Sequence, residues 1–347
     1  MLILSNSLTE TADEGGLKLA SSLVKRIKTA QKETCVVTYE RQSALGDVFL
    51  PVNKLMLNRQ LISLICKHKQ PVLYIPFPAP SLSMALRIWI VSLFARWGLK
   101  VMLIRQFPME KTARILLEKS KAELIVFSEK AKDFYTSITN NRITYVKTGV
   151  DTKRFCPVSP EKTRLLKERY GFDSQKPIVL HVGHMKEGRN VRQLLKLGEK
   201  YQVVLVISTL AKERQDESLR EELLCSGNIR IIDGYVPNIE EIYQMCDVYF
   251  FPVCQTGHCI DVPLSCMEAA ACGKPVVTTD YGEMRQLIGK PGFYRLESFD
   301  ADVLNHTIEH ALSKPGLDVR EAVLAYDWDH AVRSLTAETE NAELREE

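Results

Sequence analysis

Short apolar runs alternate with helical patterns along the whole chain. In the first half, runs rich in apolar residues predict strands at Leu2–Leu4, Thr34–Thr38, Pro71–Ile75, Lys100–Ile104, Glu123–Phe127 and Ile143–Lys147. Most of the segments between them carry apolar residues at helical spacing, as in Leu17–Ile27. Regular alternation of strands and helices predicts a parallel sheet with helices on both faces.

The second half repeats this pattern. It predicts strands at Pro177–Val182, Val203–Ile207, Asn228–Ile232, Val248–Phe251 and Pro275–Thr278. It predicts helices at Val191–Lys200, Ala211–Cys225, Ile239–Met245, Leu264–Ala271 and Ala301–Leu312. The chain is therefore expected to form two α/β domains, each a Rossmann-like doubly wound sheet, with ligands bound beyond the carboxyl ends of the strands.

A change in composition marks the predicted boundary between the domains. The stretch from Phe155 to Pro177 contains three prolines and many charged residues, so we predict a linker at residues 155–176. This gives an N-terminal domain at 1–154 and a C-terminal domain at 177–327. A last helix follows at 328–347. One arrangement open to it is to pack back against the N-terminal domain. The length of 347 residues suits two domains of about 150 residues each.

The bulk composition is that of an ordinary globular protein, with 45% hydrophobic and 26% charged residues. The nine cysteines are scattered, which is typical of a reducing compartment rather than of a disulfide framework. The first residues lack a basic region, and no window approaches the length of about 20 apolar residues that a membrane span needs. We expect a cytoplasmic protein, with a peripheral position at the inner membrane face as an open alternative.

Charge is distributed unevenly between the two halves. Residues 1–150 carry 22 Lys/Arg against 11 Asp/Glu, whereas residues 151–347 carry 24 against 32. Between Val48 and Met109 there is no acidic residue, and Trp89, Phe94 and Trp97 are interleaved with the basic ones. Such a surface suits an anionic membrane or an acidic glycan. A core helix at Leu82–Trp97 with a solvated basic face is the alternative.

The segment FFPVCQTGHCIDVPLSCMEAAACGKPVVTTDYGEM carries the strongest chemical signal. A strand is predicted to end at Phe251, and Pro263 is predicted to open a helix. The backbone N–H groups of Leu264 and Ser265 would then form a phosphate site at the helix N-terminus. Glu268, one turn further, could accept hydrogen bonds from the hydroxyls of a ribose. Ser265 and Glu268 also match a capping box, which is the structural alternative.

A metal site is a weaker interpretation of the same segment. Cys254, His258 and Cys259 lie close together in the sequence, but their spacing matches no standard zinc site. We therefore expect no metal ligands and no cofactor.

Taken together, these motifs resemble those of family 4 glycosyltransferases. The resemblance extends to EGGLKLASSLVKRI near the N-terminus, to TGVDTKRFCP at Thr148–Pro157, and to HVGHMKEGRNVRQLL, which contains Gly183. It covers roughly residues 10–330 and is strongest in the C-terminal half. It implies the GT-B fold, in which two Rossmann-like domains face a cleft, with the acceptor at the first domain and a nucleotide-sugar donor at the second.

Residue roles follow from the resemblance position by position. Gly15 and Gly16 would form a glycine turn near the donor phosphates or the acceptor, or else a plain strand-to-helix turn. The family's loop arginine falls on His184 and its lysine on Arg189, which would neutralise the departing diphosphate. Lys186 is a possible substitute for Arg189, and a solvated basic loop is the alternative for all three.

The sequence also departs from the family pattern. The family has two glutamates separated by seven residues; the second matches Glu268, but the first falls on Ile260, beside Asp261. Pro263 replaces a glycine and removes one N–H donor. His184, in place of arginine, lowers the permanent positive charge at the phosphates. These changes indicate a different sugar subsite, with Asp261 as the candidate ligand of a sugar hydroxyl.

The resemblance implies a retaining, hexosyltransferase-type enzyme that needs no divalent metal. Its partners would be a nucleotide-diphosphate sugar and a glycan or lipid-linked acceptor, and no nucleic acid is expected. Two other functions stay open. One is a catalytically silent nucleotide-binding or scaffold subunit, which the changes at His184, Ile260 and Pro263 motivate. The other is a nucleotide-sugar epimerase, although the first half is poor in acidic and histidine groups.

Overall fold

Two compact units make up the chain. The computed structural model describes residues 1–9, 14–76, 81–106, 108–207, 216–314 and 318–343, with side chains to residue 336. The first unit combines Met1–Thr148 with the C-terminal segment from Trp328, and the second unit is Gly149–Asp327.

The first unit is built on a seven-stranded parallel sheet. Its strands are β1 (Leu2–Ser5), β2 (Cys35–Thr38), β3 (Val48–Phe49), β4 (Val72–Ile75), β5 (Leu99–Leu103), β6 (Glu123–Val126) and β7 (Ile143–Tyr145). Their order is β3-β2-β1-β4-β5-β6-β7. Its helices are α1 (Gly15–Ala30), α2 (Arg59–Lys67), α3 (Leu82–Ser92), α4 (Lys111–Ser120), α5 (Glu129–Ile138) and α12 (Trp328–Glu343).

The second unit has a six-stranded parallel sheet. Its strands are β8 (Ile178–Val182), β9 (Gln202–Ile207), β10 (Ile229–Asp233), β11 (Val248–Phe251), β12 (Val276–Thr278) and β13 (Phe293–Arg295), in the order β10-β9-β8-β11-β12-β13. Its helices are α6 (Pro160–Arg169), α7 (Glu217–Cys225), α8 (Ile239–Met245), α9 (Leu264–Ala271), α10 (Met284–Leu287) and α11 (Ala301–Leu312). Three 3₁₀ helices lie at Glu187–Arg189, Val191–Lys196 and Glu321–Tyr326.

The central strands are buried on both faces, which explains why they appear in the sequence as continuous apolar runs. All four residues of β1, β4 and β11 are buried. In the first unit, alternate positions of these strands meet the buried side chains of helices α2 to α5 in one core. The strands β9 and β8 of the second unit pack in the same way against α7, α11 and the 3₁₀ helix at Val191–Lys196.

Both sheets have the strand order of a Rossmann fold. Counted from its first strand, the second unit has the order 3-2-1-4-5-6, so the chain reverses direction across the sheet between β8 and β11. The corresponding switch point of the first unit lies between β1 and β4. These strand orders confirm the predicted class of two doubly wound α/β domains. In open parallel sheets, ligands bind at the switch point, beyond the carboxyl ends of the strands.

Three features differ from the sequence predictions. The short edge strands β3 and β13 were not predicted, because two or three residues carry too little pattern. The helix predicted at Val191–Lys200 is a 3₁₀ helix ending at Lys196. The helix predicted from Ala211 begins at Glu217, and its predicted first residues lie outside the described ranges.

The segment predicted as a linker, residues 155–176, is part of the second unit. It contains α6, which has a proline at its first position and is capped by Ser159, whose Oγ accepts from Lys162 N at 3.2 Å. Lys167 of this helix is buried, and its Nζ lies 2.7 Å from Asp247 Oδ2. This stretch is therefore a helix of the second unit rather than a linker, although Lys167 is the one buried charge among its described residues.

Candidate functional site

The candidate site lies where β8 and β11 end at the switch point of the second unit. β8 leads into residues 183–190, which we call the β8 loop. β11 leads through Pro252 into residues 252–263, which we call the β11 loop, and this loop ends at the start of α9. The two loops and α9 hold most of the residues that the sequence singled out, and parallel pairing of β8 and β11 brings the loops together.

An asparagine joins the two loops. Asn190 adopts the left-handed backbone conformation (φ 55°), which allows the two 3₁₀ helices of this region to follow one another directly. Its side-chain Nδ2 donates to the Pro252 carbonyl and lies near Cys254 Sγ, each at 3.1 Å. Gly188 lies directly beneath the ring of His258, so closely that a Cβ at position 188 would overlap the ring. The β8 loop is therefore held against the β11 loop by contacts at both of these positions.

Arg189 is a buried cation without a counterion in the part of the chain that the structure describes. Arg189 is 9% exposed. No carboxylate among the described residues lies within ion-pair distance of its guanidinium. Its Nε atom is buried and has no hydrogen-bond partner. The solvated basic loop considered from the sequence therefore does not describe Arg189. A buried guanidinium without a partner is costly, and a bound anion would remove that cost.

His181, in β8, lies next to Arg189 and is fully buried. Its Nδ1 is 2.9 Å from the Phe250 carbonyl oxygen, which can only accept, so Nδ1 carries the proton. Burial lowers the pKa of His181 to about 4; the bond to Phe250 opposes this shift and the charge of Arg189 adds to it. The ring is therefore neutral near pH 7, and its Nε2 is an acceptor.

The N-terminus of α9 carries no side-chain cap. Pro263 is the N-cap residue and Leu264 is the first helical residue, so Pro263 stands one position earlier than predicted. Ser265 lies inside the helix, which excludes the capping box considered for Ser265 and Glu268. The hydrogen bonds of the first turn come from Cys266 N and Met267 N to the Pro263 carbonyl. The N–H groups of Leu264 and Ser265 are thus left for a ligand or water.

Glu268 is 3% exposed and lies beside the hydroxyl of Tyr243. Burial raises the pKa of Tyr243, and the negative charge of Glu268 raises it further. The Tyr243 ring is supported by Phe155, with ring centroids 5.7 Å apart in an edge-to-face arrangement. Phe155 belongs to the TGVDTKRFCP motif, so this motif packs beneath the α9 region within the second unit.

Asp261 is buried at 3% exposure and is fixed through its backbone. Its carbonyl accepts from Glu283 N at 2.8 Å. A Cβ at Gly282 would approach the Asp261 carbonyl oxygen to 2.1 Å, and Gly282 has a φ of 52°, so glycine is required there. Ile260, where the family has a glutamate, is buried at 2% exposure. Asp261 is therefore the acidic residue that this part of the loop presents.

The other predicted residues are less buried or lie elsewhere. His184 and Lys186 are half-buried in the β8 loop, and Gly183 continues the sheet by donating to the Val206 carbonyl at 3.0 Å. Gly15 and Gly16 lie in the first unit, where they are the first two residues of α1 rather than a separate turn. Glu14 caps this helix by accepting from Leu17 N at 2.8 Å, and it also pairs with Arg105 at 3.3 Å.

Within the described residues, no three His, Cys, Asp or Glu side chains are close enough to share a metal ion. Over the same residues, no helix has the length and apolar character needed to cross a bilayer.

Sequence reasoning did not single out His181 or Tyr243. His181 lies in an apolar strand and Tyr243 is a buried residue of α8, and at both positions a polar ring is easily assigned to the core. The one available signal was a histidine in a strand whose other residues are all aliphatic, Ile178–Val182.

Comparison with known proteins finds a family match within the second unit. Residues 162–325 match the family described as "Glycosyl transferases group 1". The chain is also similar to the putative glycosyltransferase EpsD of Bacillus subtilis, with 28% identity over 177 residues, which are 49% of this chain and 45% of the relative.

A second relative is N,N'-diacetylbacillosaminyl-diphospho-undecaprenol alpha-1,3-N-acetylgalactosaminyltransferase of Campylobacter jejuni. It is 28% identical over 198 residues, which are 54% of this chain and 50% of the relative. The chain thus spans about half the length of the curated relatives it matches.

Structural similarity extends over both units. The crystal structure of Anabaena HepE in complex with UDP superposes with a TM-score of 0.75 at 15% identity, covering 98% of this chain and 99% of that one. At this identity the similarity concerns the fold, which is that of the GT-B type.

Proposed function

Because residues 162–325 match the family described as "Glycosyl transferases group 1", we propose that the protein is a retaining glycosyltransferase. It would take a sugar from a nucleotide-diphosphate donor at the second unit and transfer it to a glycan or a lipid-linked acceptor. The mechanism, the donor and the acceptor are our inferences.

The observation that carries this proposal is the buried Arg189 without a counterion. A guanidinium keeps its charge at all physiological pH values and binds phosphate through two parallel hydrogen bonds. The free N–H groups at the start of α9 lie in the same switch-point region and favour the same kind of ligand. A diphosphate bound between them would satisfy both.

Two buried carboxylates suit the rest of the donor. Glu268, one turn into α9, would accept hydrogen bonds from the ribose hydroxyls. Asp261, held by Glu283 and Gly282, would accept from a hydroxyl of the sugar. His184 and Lys186 flank the β8 loop and would add positive charge, with His184 doing so only when it is protonated.

The reaction would require few protein groups. As the bond between the sugar and the diphosphate breaks, negative charge develops on the leaving phosphate and positive charge on the sugar ring. Arg189 and the N–H groups of α9 would stabilise the leaving phosphate. The acceptor hydroxyl would enter on the face from which the diphosphate departs, and would lose its proton to a phosphate oxygen. No metal ion is needed for this sequence of steps.

A binding experiment tests the donor site. Purified wild-type protein is titrated calorimetrically with UDP, GDP, ADP and CDP, without added metal. The same titrations are then carried out on the Arg189→Ala and Arg192→Ala variants. Arg192 is a matched control, because it stands three residues away and pairs with Glu222 at the surface. We expect one nucleotide to bind, Arg189→Ala to weaken it by about 10- to 100-fold, and Arg192→Ala to leave it unchanged.

The outcomes separate the candidate functions. If the wild type binds none of the four nucleotides, the donor site and the proposed function are wrong. Binding without sugar transfer or hydrolysis from the matching nucleotide sugar would favour the catalytically silent subunit. Conversion of the nucleotide sugar into an epimer without transfer would favour the epimerase.

The surface of the first unit supports a lipid-linked acceptor. Leu55 and Leu57 are exposed at 42% and 41%, and they lie beside the exposed Lys54 in the segment that precedes α2. This segment contacts α3, because Arg87 Nε donates to the Lys54 carbonyl at 3.0 Å. Exposed leucines beside basic residues suit an anionic membrane surface. The name of the Campylobacter relative contains a diphospho-undecaprenol group.

A further inference from the structure

One buried polar atom beside the donor site is not explained by the fold. His181 is 0% exposed, yet its Nε2 has no hydrogen-bond partner. The ring already makes the contacts that a core histidine needs. Its Nδ1 bonds the Phe250 carbonyl, and it packs against Tyr249 and Phe251 with centroid distances of 6.3 and 6.4 Å. A buried acceptor without a hydrogen bond destabilises the folded protein unless a ligand or another group donates to it.

Arg189 lies close to this acceptor. A Cβ built on Gly183 would lie 3.2 Å from His181 Nε2 and 3.4 Å from Arg189 Nη1. The acceptor and the donor therefore both lie within 3.4 Å of one point, which the absence of a side chain at position 183 leaves open. Arg189 also has a buried Nε without a hydrogen-bond partner among the described residues, so no hydrogen bond at this atom fixes its guanidinium.

We propose that His181 is a positioning residue for Arg189. When a diphosphate binds, the guanidinium turns its Nη1–H towards His181 Nε2 and presents its remaining N–H groups to the phosphate oxygens. The neutral imidazole acts as the fixed acceptor that sets this orientation. The inference rests on the proposed function, since it concerns the residue that would bind the donor diphosphate.

Two substitutions at position 181 separate the two ring nitrogens. In His181→Asn the amide nitrogen takes the place of Nδ1, so the bond to Phe250 is kept and the acceptor at the Nε2 position is lost. In His181→Gln the amide oxygen reaches the Nε2 position, so the acceptor is kept and the bond to Phe250 is weakened. A purely structural histidine predicts that Asn is tolerated better than Gln. The positioning role predicts the opposite for diphosphate binding.

The measurement is calorimetric titration with UDP, with uridine as the control that lacks phosphates. If the wild type selects another nucleotide, that nucleotide and its nucleoside replace UDP and uridine. We expect His181→Asn to weaken nucleotide binding about tenfold and to leave nucleoside binding unchanged. We expect His181→Gln to bind the nucleotide nearly as the wild type does, even if its thermal stability is lower.

A double-mutant cycle shows whether the effect passes through Arg189. In the Arg189→Ala background, His181→Asn should change nucleotide affinity by less than about twofold, because the group that it positions is absent. Gly183→Ala provides a second variant that leaves the histidine in place, since its methyl group would separate Nε2 from Nη1. It should weaken nucleotide binding without adding to the effect of His181→Asn.

The positioning role would be overturned if His181→Asn binds the nucleotide as tightly as the wild type, or loses equal affinity with and without Arg189. Either result would leave the donor site itself intact, because the wild type would still bind the nucleotide. Failure of the wild type to bind any nucleoside diphosphate would instead overturn the proposed function, and the positioning role with it.

Discussion

A buried neutral histidine makes the stability of the second unit depend on pH. In the folded protein burial lowers the pKa of His181 to about 4, from an ordinary value of 6.5. As the pH falls below 6.5, the unfolded chain binds a proton at this ring while the folded protein does not. The free energy of unfolding therefore falls as the pH drops from 6.5 to about 4. The full stabilising contribution of the neutral ring is present only above pH 6.5.

We therefore expect acidification from about pH 7 to about pH 4 to cost on the order of 3 kcal/mol of unfolding free energy through His181. Urea denaturation of the wild type at several pH values in this range measures the loss. The His181→Gln variant is the control, because it cannot titrate there and should show a correspondingly smaller loss. Equal pH dependence of the two proteins would contradict a neutral buried ring.

The sequence identified Arg189 but could not show that it is buried. Its neighbours in the chain, Lys186 and Arg192, have the same charge and differ from it in exposure. Burial of Arg189 depends on where the β11 loop and α9 pack, which involves residues some 70 positions away along the chain. The same long-range packing determines that His181 faces Arg189, and no local pattern contains that information.

At the scale of the elements, one arginine holds the end of α9 in place. Arg320 donates to the carbonyls of Thr152, Phe155 and Ala271, at distances of 2.7, 2.8 and 2.6 Å. It thereby joins the last residue of α9 to the TGVDTKRFCP motif. The planar guanidinium can serve three carbonyls at once, whereas the ammonium group of lysine cannot match its geometry.

We expect Arg320→Lys to lower the unfolding free energy of the second unit by about 2 kcal/mol, since it leaves carbonyls without a donor. The shift of the denaturant midpoint measures this effect. Arg164→Lys is the matched control, because Arg164 makes one exposed ion pair with Glu168 in α6 and should change stability by less than about 0.5 kcal/mol. A change no larger than that of the control would mean that Arg320 does not brace α9.

Elements with long apolar runs were predictable from the sequence. Buried strands such as Val248–Phe251 and helices such as Leu264–Ala271 have the predicted bounds, because their pattern is set by burial on both faces or on one face. The 3₁₀ helix at Val191–Lys196 was predicted as an α-helix, since both have similar apolar spacing over a few residues. It packs against the sheet through Val191 and Leu194, and that contact is visible only in the folded unit.

At the scale of the whole molecule, the excess of basic residues coincides with exposed apolar side chains of the first unit. Besides Leu55 and Leu57, the large exposed apolar residues there include Leu82, Leu93 and Trp97. We expect the protein to bind vesicles that contain phosphatidylglycerol and not vesicles of phosphatidylcholine alone, with binding weakened by salt.

Cosedimentation with these vesicles tests the prediction. The double variant Leu55→Ser/Leu57→Ser should bind about tenfold more weakly, because two leucines no longer enter the interface. Leu165→Ser/Leu224→Ser is the matched control, since these leucines are at least as exposed but lie in the second unit. Absence of wild-type binding to the anionic vesicles would make the membrane proposal wrong.

The division of the chain was harder to predict than its fold class. Proline and charge suggested a linker, but Pro160 opens α6, and Lys167 is neutralised by a buried contact with Asp247. The chain instead crosses from the first unit to the second between Thr148 and Gly149. It returns to the first unit between Asp327 and Trp328. Neither position carries a change in composition, because both passages are short.

The return of α12 affects the order in which the protein folds during synthesis. One face of this helix is buried through Trp328, Ala331, Val332 and Leu335, and it contacts α1, with Asp329 paired to Arg26 at 3.5 Å. The second unit has all its residues once Asp327 has left the ribosome, whereas the first unit then still lacks α12. The unit that is translated first is thus the last to be completed, and α1 keeps an apolar surface open to chaperones until the final helix arrives.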